Sequence, residues 1–185
     1  STASLNTKLA LDALDGVADG LIAMHDAGIA HLDVKPSNVI LREGSGTSVL
    51  VDFGLAGRKI RLGCATLCYG APEVWEGQPG HNDGPLVVAA DVYAFGCFAF
   101  EMLTSHTLFD GNSDVAIISA HITHDGLPPP VDRLAQTPSM QALATLLYHC
   151  LRYEPADRAN MREIRQQLDE VRDALEDRPW PLRLE

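Results

Sequence analysis

Residues 91–103, "DVYAFGCFAFEML", limit the fold more than any other stretch of the chain. They are apolar nearly all the way round a helix, so no face is left for water. Such a helix belongs at the centre of a helical unit, with amphipathic helices laid around it. The chain supplies them. From Leu9 to His25, Leu11, Leu14, Val17, Leu21 and Met24 recur at helical spacing, with Asp12, Asp15 and Asp19 elsewhere on the turn and an end near Gly28. Met140, Leu143, Leu146, Leu147 and Leu151 recur after Ser139, which reads as an N-cap. Met161, Ile164, Leu168, Val171 and Leu175 recur after Asn160, whose partner Glu163 completes a capping-box pattern. Two short β-rich runs interrupt the helices, "NVIL" and "SVLVD". The "REGSGT" between them predicts a hairpin with Gly44 and Gly46 in its connection. Gly- and Pro-rich loops fall at 76–85 and 124–132. The expectation is one mainly α domain carrying a small β-hairpin near its N-terminal end.

Composition narrows the partners. With 185 residues, 46% of them hydrophobic, the chain can bury one ordinary core. Its formal charge of −11 gives no general attraction to nucleic acid phosphates or to an anionic membrane surface, so neither is an expected partner. Cys64, Cys68, Cys97 and Cys150 form no C-x-x-C pair and signal neither a disulfide scaffold nor a zinc site. His81, His106, His121, His124 and His149 have no metal-ligand spacing. No apolar run is long enough to cross a bilayer, and "STASLNTKLA" lacks the apolar core of a signal peptide. A reducing, cytoplasmic setting is expected for this segment, with membrane anchoring of the full-length protein left open.

The chemistry is concentrated in "HLDVKPSNVIL", residues 31–41, where Asp33, Lys35 and Asn38 precede the first hairpin strand, and in "VDFG", where Asp52 ends the second. Antiparallel strands lie about 4.8 Å apart, so folding the hairpin brings residues 38 and 52 together. An amide oxygen and a carboxylate facing one site suit a hard cation such as Mg²⁺ that also keeps phosphate and water ligands. Asp33 is then left as a base and Lys35 as a cation for a developing phosphate charge. That set of groups fits phosphoryl transfer.

"HLDVKPSN", "DFG" at 52–54, "APE" at 71–73 and "DVYAFG" at 91–96, in that order, resemble the C-terminal lobe of a protein kinase of the Ser/Thr type. The resemblance covers essentially the whole chain, with 1–178 as the lobe and 179–185 as an exit linker. It implies that Asp33 orients the substrate hydroxyl and accepts its proton, that Lys35 steadies the γ-phosphate of ATP, and that Asn38 and Asp52 hold Mg²⁺. Ile40 would lie beneath the adenine ring. Thr66 would touch Asp33 and Lys35 and help shape the site for a Ser or Thr acceptor. His31 reads as a packed core residue, and Phe53 as structural support. Gly54 lets the following segment turn. Glu73 would pair with Arg158, and Asp91 would accept hydrogen bonds from backbone amides of the "HLD" turn.

Two departures qualify the resemblance. Arg immediately before the catalytic Asp receives the activating phosphate in many relatives; here the position is Leu32, and residues 55–65, "LAGRKIRLGCA", contain no Ser, Thr or Tyr. Activity independent of phosphorylation before Thr66 is expected. Nothing upstream of Asp33 resembles a Gly-rich loop, and Lys8 stands in "NTKLA" rather than in a V-A-I-K strand. The chain is expected to work only when joined to its own N-terminal lobe, with a protein substrate as the other partner. The competing readings are a pseudokinase scaffold, binding partners near Leu108 to His121, and a small-molecule kinase, against which "APE" and "DVYAFG" count. Arg outnumbers Lys 11 to 3 and Ala is abundant, a composition in keeping with a GC-rich bacterial genome.

Overall fold

The structure, a computed structural model, describes residues 6–42, 48–57, 66–77 and 86–184. Gly44 and Gly46 of the hairpin connection, Arg58, Arg61, Cys64 and His81 lie outside the described residues. Helix α1 spans Thr7–Asp26, opened by Asn6, whose side chain accepts the Leu9 amide. Its buried stripe is Leu11, Leu14, Val17 and Leu21, the residues whose spacing predicts the helix. Strands β1 (Val39–Leu41) and β2 (Ser48–Leu50) pair antiparallel, with Val39 opposite Leu50, Ile40 opposite Val49 and Leu41 opposite Ser48. The short helix α2 is Pro72–Glu76, and α3 is Val88–Thr104. Then come α4 (Asp114–Ile122), α5 (Pro129–Gln136), α6 (Gln141–Cys150) and α7 (Met161–Leu175).

Helix α3 is the hub that its sequence demands. Tyr93, Phe95, Phe98, Phe100 and Leu103 are fully buried in one cluster shared with α1, α6 and α7. A buried side chain of this size stabilises by about 1.5–3 kcal/mol relative to exposure, so a run of them fixes the centre of the fold. Gly96 admits α6: a Cβ there would stand 2.7 Å from the Cys150 Cβ and 3.2 Å from Leu151. Across the lobe, α1 lies against α7, with Arg172 bridging Asp12 at 2.9 Å and Asp15 at 2.7 Å along the polar edge. The acids between the apolar positions of α1 thus face arginines of α7.

Local signals succeed at some ends and fail at one. Asn160 accepts the Arg162 and Glu163 amides while Glu163 accepts the Asn160 amide, completing the expected capping box. Ser139 does not cap α6. It sits inside a 3₁₀ turn, Pro138–Met140, that runs straight into the helix, so Met140 holds the cap position and no free turn is left for the hydroxyl to cap. The C-terminal tail, expected as an exit linker, lies back on the lobe through residue 184. Trp180 Nε1 donates to the Met102 carbonyl at 2.9 Å, the Leu182 amide donates to the Leu103 carbonyl at 2.9 Å, and Leu182 is buried.

Candidate active site

Asp91, in the first turn of α3, organises the loop that carries Asp33. Its buried carboxylate accepts the His31 and Leu32 amides, both at 2.7 Å, and faces His25 Nε2 of α1 at 2.9 Å. A carboxylate in a helix's first turn is favoured by the helix dipole as well. Two adjacent amides aimed at one carboxylate require a sharp turn, and Leu32 takes a left-handed backbone with φ 66°. His31, fully buried, closes the turn. Its Nδ1 accepts the Asp33 amide at 3.3 Å, so its Nε2 carries the proton and donates to the Val51 carbonyl at 3.2 Å. The Phe53 ring meets His31 edge-on at 5.4 Å between centroids.

Three of the predicted site residues, Lys35, Asn38 and Thr66, come together around a fourth, Asp33. Lys35 Nζ lies 2.8 Å from Asp33 Oδ2 and donates to Thr66 Oγ1 at 2.9 Å, while the Thr66 hydroxyl donates to Asp33 Oδ1 at 2.9 Å. Asn38 Nδ2 donates to the Asp33 carbonyl at 2.8 Å and to its Oδ2 at 2.9 Å. Burial pushes the Asp33 carboxyl up, but the hydrogen bonds from Lys35, Thr66 and Asn38 and the charge of Lys35 together outweigh it and hold the group below the ordinary carboxylate value. Asp33 is therefore a carboxylate with oriented donors on both oxygens.

Asn38 and Asp52, the pair expected to hold a metal, offer a donor set that suits a hard cation. Asn38 is buried with both described amide contacts made through Nδ2, and among the described residues nothing donates to its Oδ1. The Val51 amide donates to the Asn38 carbonyl at 2.8 Å, so the ladder sets residue 38 beside the end of β2. Asp52 follows with φ 65°, exposed, its Oδ1 accepting the Gly54 amide at 3.2 Å. An amide oxygen and a carboxylate with spare acceptor capacity form the all-oxygen set that Mg²⁺ takes. The left-handed turns fall at Asp52 and at Gly57 (φ 70°) rather than at Gly54. What Gly54 supplies is room, since a Cβ there would come within 3.1 Å of Asp52 Oδ1. Ile40, on β1, is 54% exposed.

Glu73 and Arg158 form a buried, two-pronged pair at 2.7 and 2.8 Å. The guanidinium also donates to the carbonyls of Ala89 (3.0 Å), Arg152 (2.8 Å) and Tyr153 (2.9 Å), so all five of its N–H bonds have acceptors. It anchors the segment after Thr66 to the start of α3 and the turn before α7. Leu32 is 8% exposed and packed within the core, and Tyr69, Ala71, Val74 and Ala94 line a small cavity beside it. Cys68 is a half-buried thiol pushed up by burial, with Glu101 and Asp110 adding to the effect.

One group of residues gave no sequence signal as a site. His121 and His124 converge on the buried Tyr93 hydroxyl at 2.9 and 3.2 Å, and His121 Nε2 reaches the Leu67 carbonyl at 3.0 Å, next to Thr66. Their partners come from residues 67 and 93, too far along the chain for any spacing rule.

The protein kinase domain family matches residues 2–168. The serine/threonine-protein kinase PkaB of Streptomyces coelicolor is 36% identical over 171 residues, covering 84% of this chain and 37% of the relative. PkaA of the same organism is 30% identical over 168 residues, covering 86% and 28%, and PknB of Mycolicibacterium smegmatis is 32% identical over 143 residues, covering 71% and 22%. The chain thus spans little more than a third, or less, of these relatives. A mostly helical unit with one two-stranded sheet, matched over nearly its whole length, places the chain in the protein kinase domain family, as a C-terminal helical lobe.

Proposed function

We propose that this chain is the catalytic and substrate-binding lobe of a Ser/Thr protein kinase, transferring the γ-phosphate of ATP to a protein Ser or Thr hydroxyl. The observation that carries the reading is the closed cluster of Asp33, Lys35, Thr66 and Asn38. Asp33 orients the acceptor hydroxyl and takes its proton, and its low proton affinity keeps it charged at neutral pH. Lys35 sits where a cation offsets charge developing on the transferred group, and Thr66 holds both side chains at fixed distance. Asn38 Oδ1 and Asp52 are the groups that would hold Mg²⁺, which when bound supplies charge neutralisation across the phosphates. The exposed Ile40 offers an apolar surface to the adenine.

An N-terminal lobe completes the site. The relatives are more than twice as long as this chain, and no Gly-rich loop or V-A-I-K lysine stands before Asp33 in the given sequence. Transfer therefore belongs to the full-length protein, acting on protein substrates in the cytoplasm. No helix among the described residues is long and apolar enough to cross a membrane.

The experiment compares Mg²⁺-dependent phosphate transfer to protein substrates by the full-length protein and by its Asp33→Asn variant. A loss of roughly 10²–10⁴-fold is expected for removing a general base. Equal, negligible rates would sink the reading and leave a scaffold. Leu32 in its packed setting, with no hydroxyl residue in 55–65, supports activity that needs no phosphate there. Phosphopeptide mapping of the active full-length protein should find no activating phosphate in the activation segment; one there, at Thr66 or Tyr69, would overturn that independence.

A further inference from the structure

The His121 cluster has a direction that the hydrogen bonds alone dictate. The Gly126 amide donates to His124 Nδ1 at 3.1 Å, so neutral His124 carries its proton on Nε2 and donates to the Tyr93 hydroxyl at 3.2 Å. Tyr93 has one proton, which goes to His121 Nδ1 at 2.9 Å. His121 must then hold its own proton on Nε2, where it donates to the Leu67 carbonyl at 3.0 Å. The chain runs from a backbone amide to a backbone carbonyl with every donor matched to one acceptor. Burial holds both rings neutral, His121 down to about 3 and His124 to about 4, in keeping with the acceptor role each Nδ1 has. The Phe109 ring, 4.0 Å from His121 between centroids, fixes the imidazole plane.

The Leu67 carbonyl lies in the turn that bears Thr66. The Tyr69 amide donates to the Thr66 carbonyl at 2.9 Å, closing residues 66–69, and the Tyr69 hydroxyl reaches Glu101 of α3. The turn is thus gripped from α3 at one end and from α4 beside Thr66. A misplacement of about 1 Å at a catalytic group can cost roughly 10²-fold in rate, and Thr66 Oγ1 must stay within hydrogen-bond reach of two partners at once.

We infer that His121 is a positioning residue for phosphoryl transfer: through its bond to the Leu67 carbonyl it fixes the turn that holds Thr66 against Asp33 and Lys35, in a tautomer set by Tyr93 and His124. The inference deepens the kinase reading and rests on it for its effect on rate. It gives two of the histidines without metal-ligand spacing a use, and it ties the acceptor side of the site to α4.

The test uses the full-length protein. His121→Phe keeps a ring against Phe109 and removes the donor; His121→Gln restores an N–H near the Nε2 position. The expected result is a kcat about 10-fold lower in His121→Phe with the KM for ATP unchanged, and recovery of most of it in His121→Gln. In a Thr66→Ala background the His121→Phe change should cost less than about 2-fold, because the group it positions is gone. Equal losses in both backgrounds, or a Gln variant as poor as the Phe variant, would show a merely structural histidine and overturn the proposal. Hydrogen exchange at the Tyr69 amide reads the same turn without activity: faster exchange is expected in His121→Phe than in His121→Gln, and equal protection overturns the tether. If the wild type transfers no phosphate yet shows this exchange pattern, the kinase reading fails and the tether stands. Nitrogen NMR of the unmodified protein tests the tautomer directly, and a His121 proton on Nδ1 would refute it.

Discussion

Asp33 and His121 are both held away from their ordinary protonation, in ways that bear differently on pH. Asp33 keeps a proton affinity below the ordinary carboxylate value because Lys35, Thr66 and Asn38 donate to it. His121 and His124 are kept neutral because a buried imidazolium would lose its water and disrupt the chain through Tyr93. For the histidines the folded value lies below the ordinary 6.5, so between pH 6.5 and about 4 the unfolded chain binds more protons than the folded one. Their contribution to stability is whole above 6.5 and is lost as pH falls through that window. Urea denaturation across it should show stability falling with pH, and the slope should flatten in His121→Phe, which has one titrating group fewer. A slope identical in wild type and variant would mean that His121 is not held neutral by the fold. Lys35, Asp33 and Asn38 were legible in the sequence because they lie within six residues; the closing of Thr66 onto them came only from the resemblance.

At the scale of elements, the hairpin is aimed by a glycine in the helix beneath it. A Cβ on Gly16 of α1 would stand 2.3 Å from Ser48 Oγ and 2.9 Å from the Ser48 carbonyl, and the Ser48 hydroxyl donates to the Ala13 carbonyl at 2.8 Å. The obstruction is partly backbone, so β2 would have to move, and Asp52 follows β2 by two residues. Gly20, one turn along the same helix, has open space around its Cβ position. The two glycines should therefore respond oppositely to the same substitution. Gly16→Ala is expected to destabilise by about 1–3 kcal/mol through overpacking and to lower activity of the full-length protein. Gly20→Ala should stabilise by about 0.5–1 kcal/mol through helix propensity. Thermal unfolding and transfer rates check both; a harmless Gly16→Ala would mean the hairpin is not seated by that contact. Periodicity revealed α1, α6 and α7 because each buries a regular stripe, α3 was legible because it is apolar on nearly every side, and Asn160 with Glu163 marked a true helix start. Ser139 misled because Pro138 begins a 3₁₀ turn ahead of α6, something hydrophobic spacing does not register.

Among the described residues of the whole molecule, four of the six exposed large apolar side chains fall in segments flanking the Asp33 turn, Ile29, Ile40, Leu41 and Phe53 at 40–58% exposure; the other two are Val115 on α4 and Leu127 before α5. On the kinase reading, the group beside Asp33 is the one that an N-terminal lobe would cover. On the proposed kinase reading, calorimetry should find ATP binding at least about 10-fold weaker for the 185-residue chain than for the full-length protein, because an N-terminal lobe would supply part of the nucleotide's contacts. Comparable affinity in the two would contradict an essential N-terminal lobe. The tail shows what the sequence hides at this scale: "RPWPLRL" has the composition of a linker, yet Trp180 and Leu182 seal the end of α3. Helix α1 likewise rests on α7 through Arg172, 160 residues beyond Asp12. A ribosome adding about 5–20 residues per second leaves α1 for about 8–30 s without the helix that covers it. During that interval β2 and α3, which also pack against α1, are the native cover available to it, so slower synthesis of the second half of the chain should lengthen the exposure of the face that α7 covers.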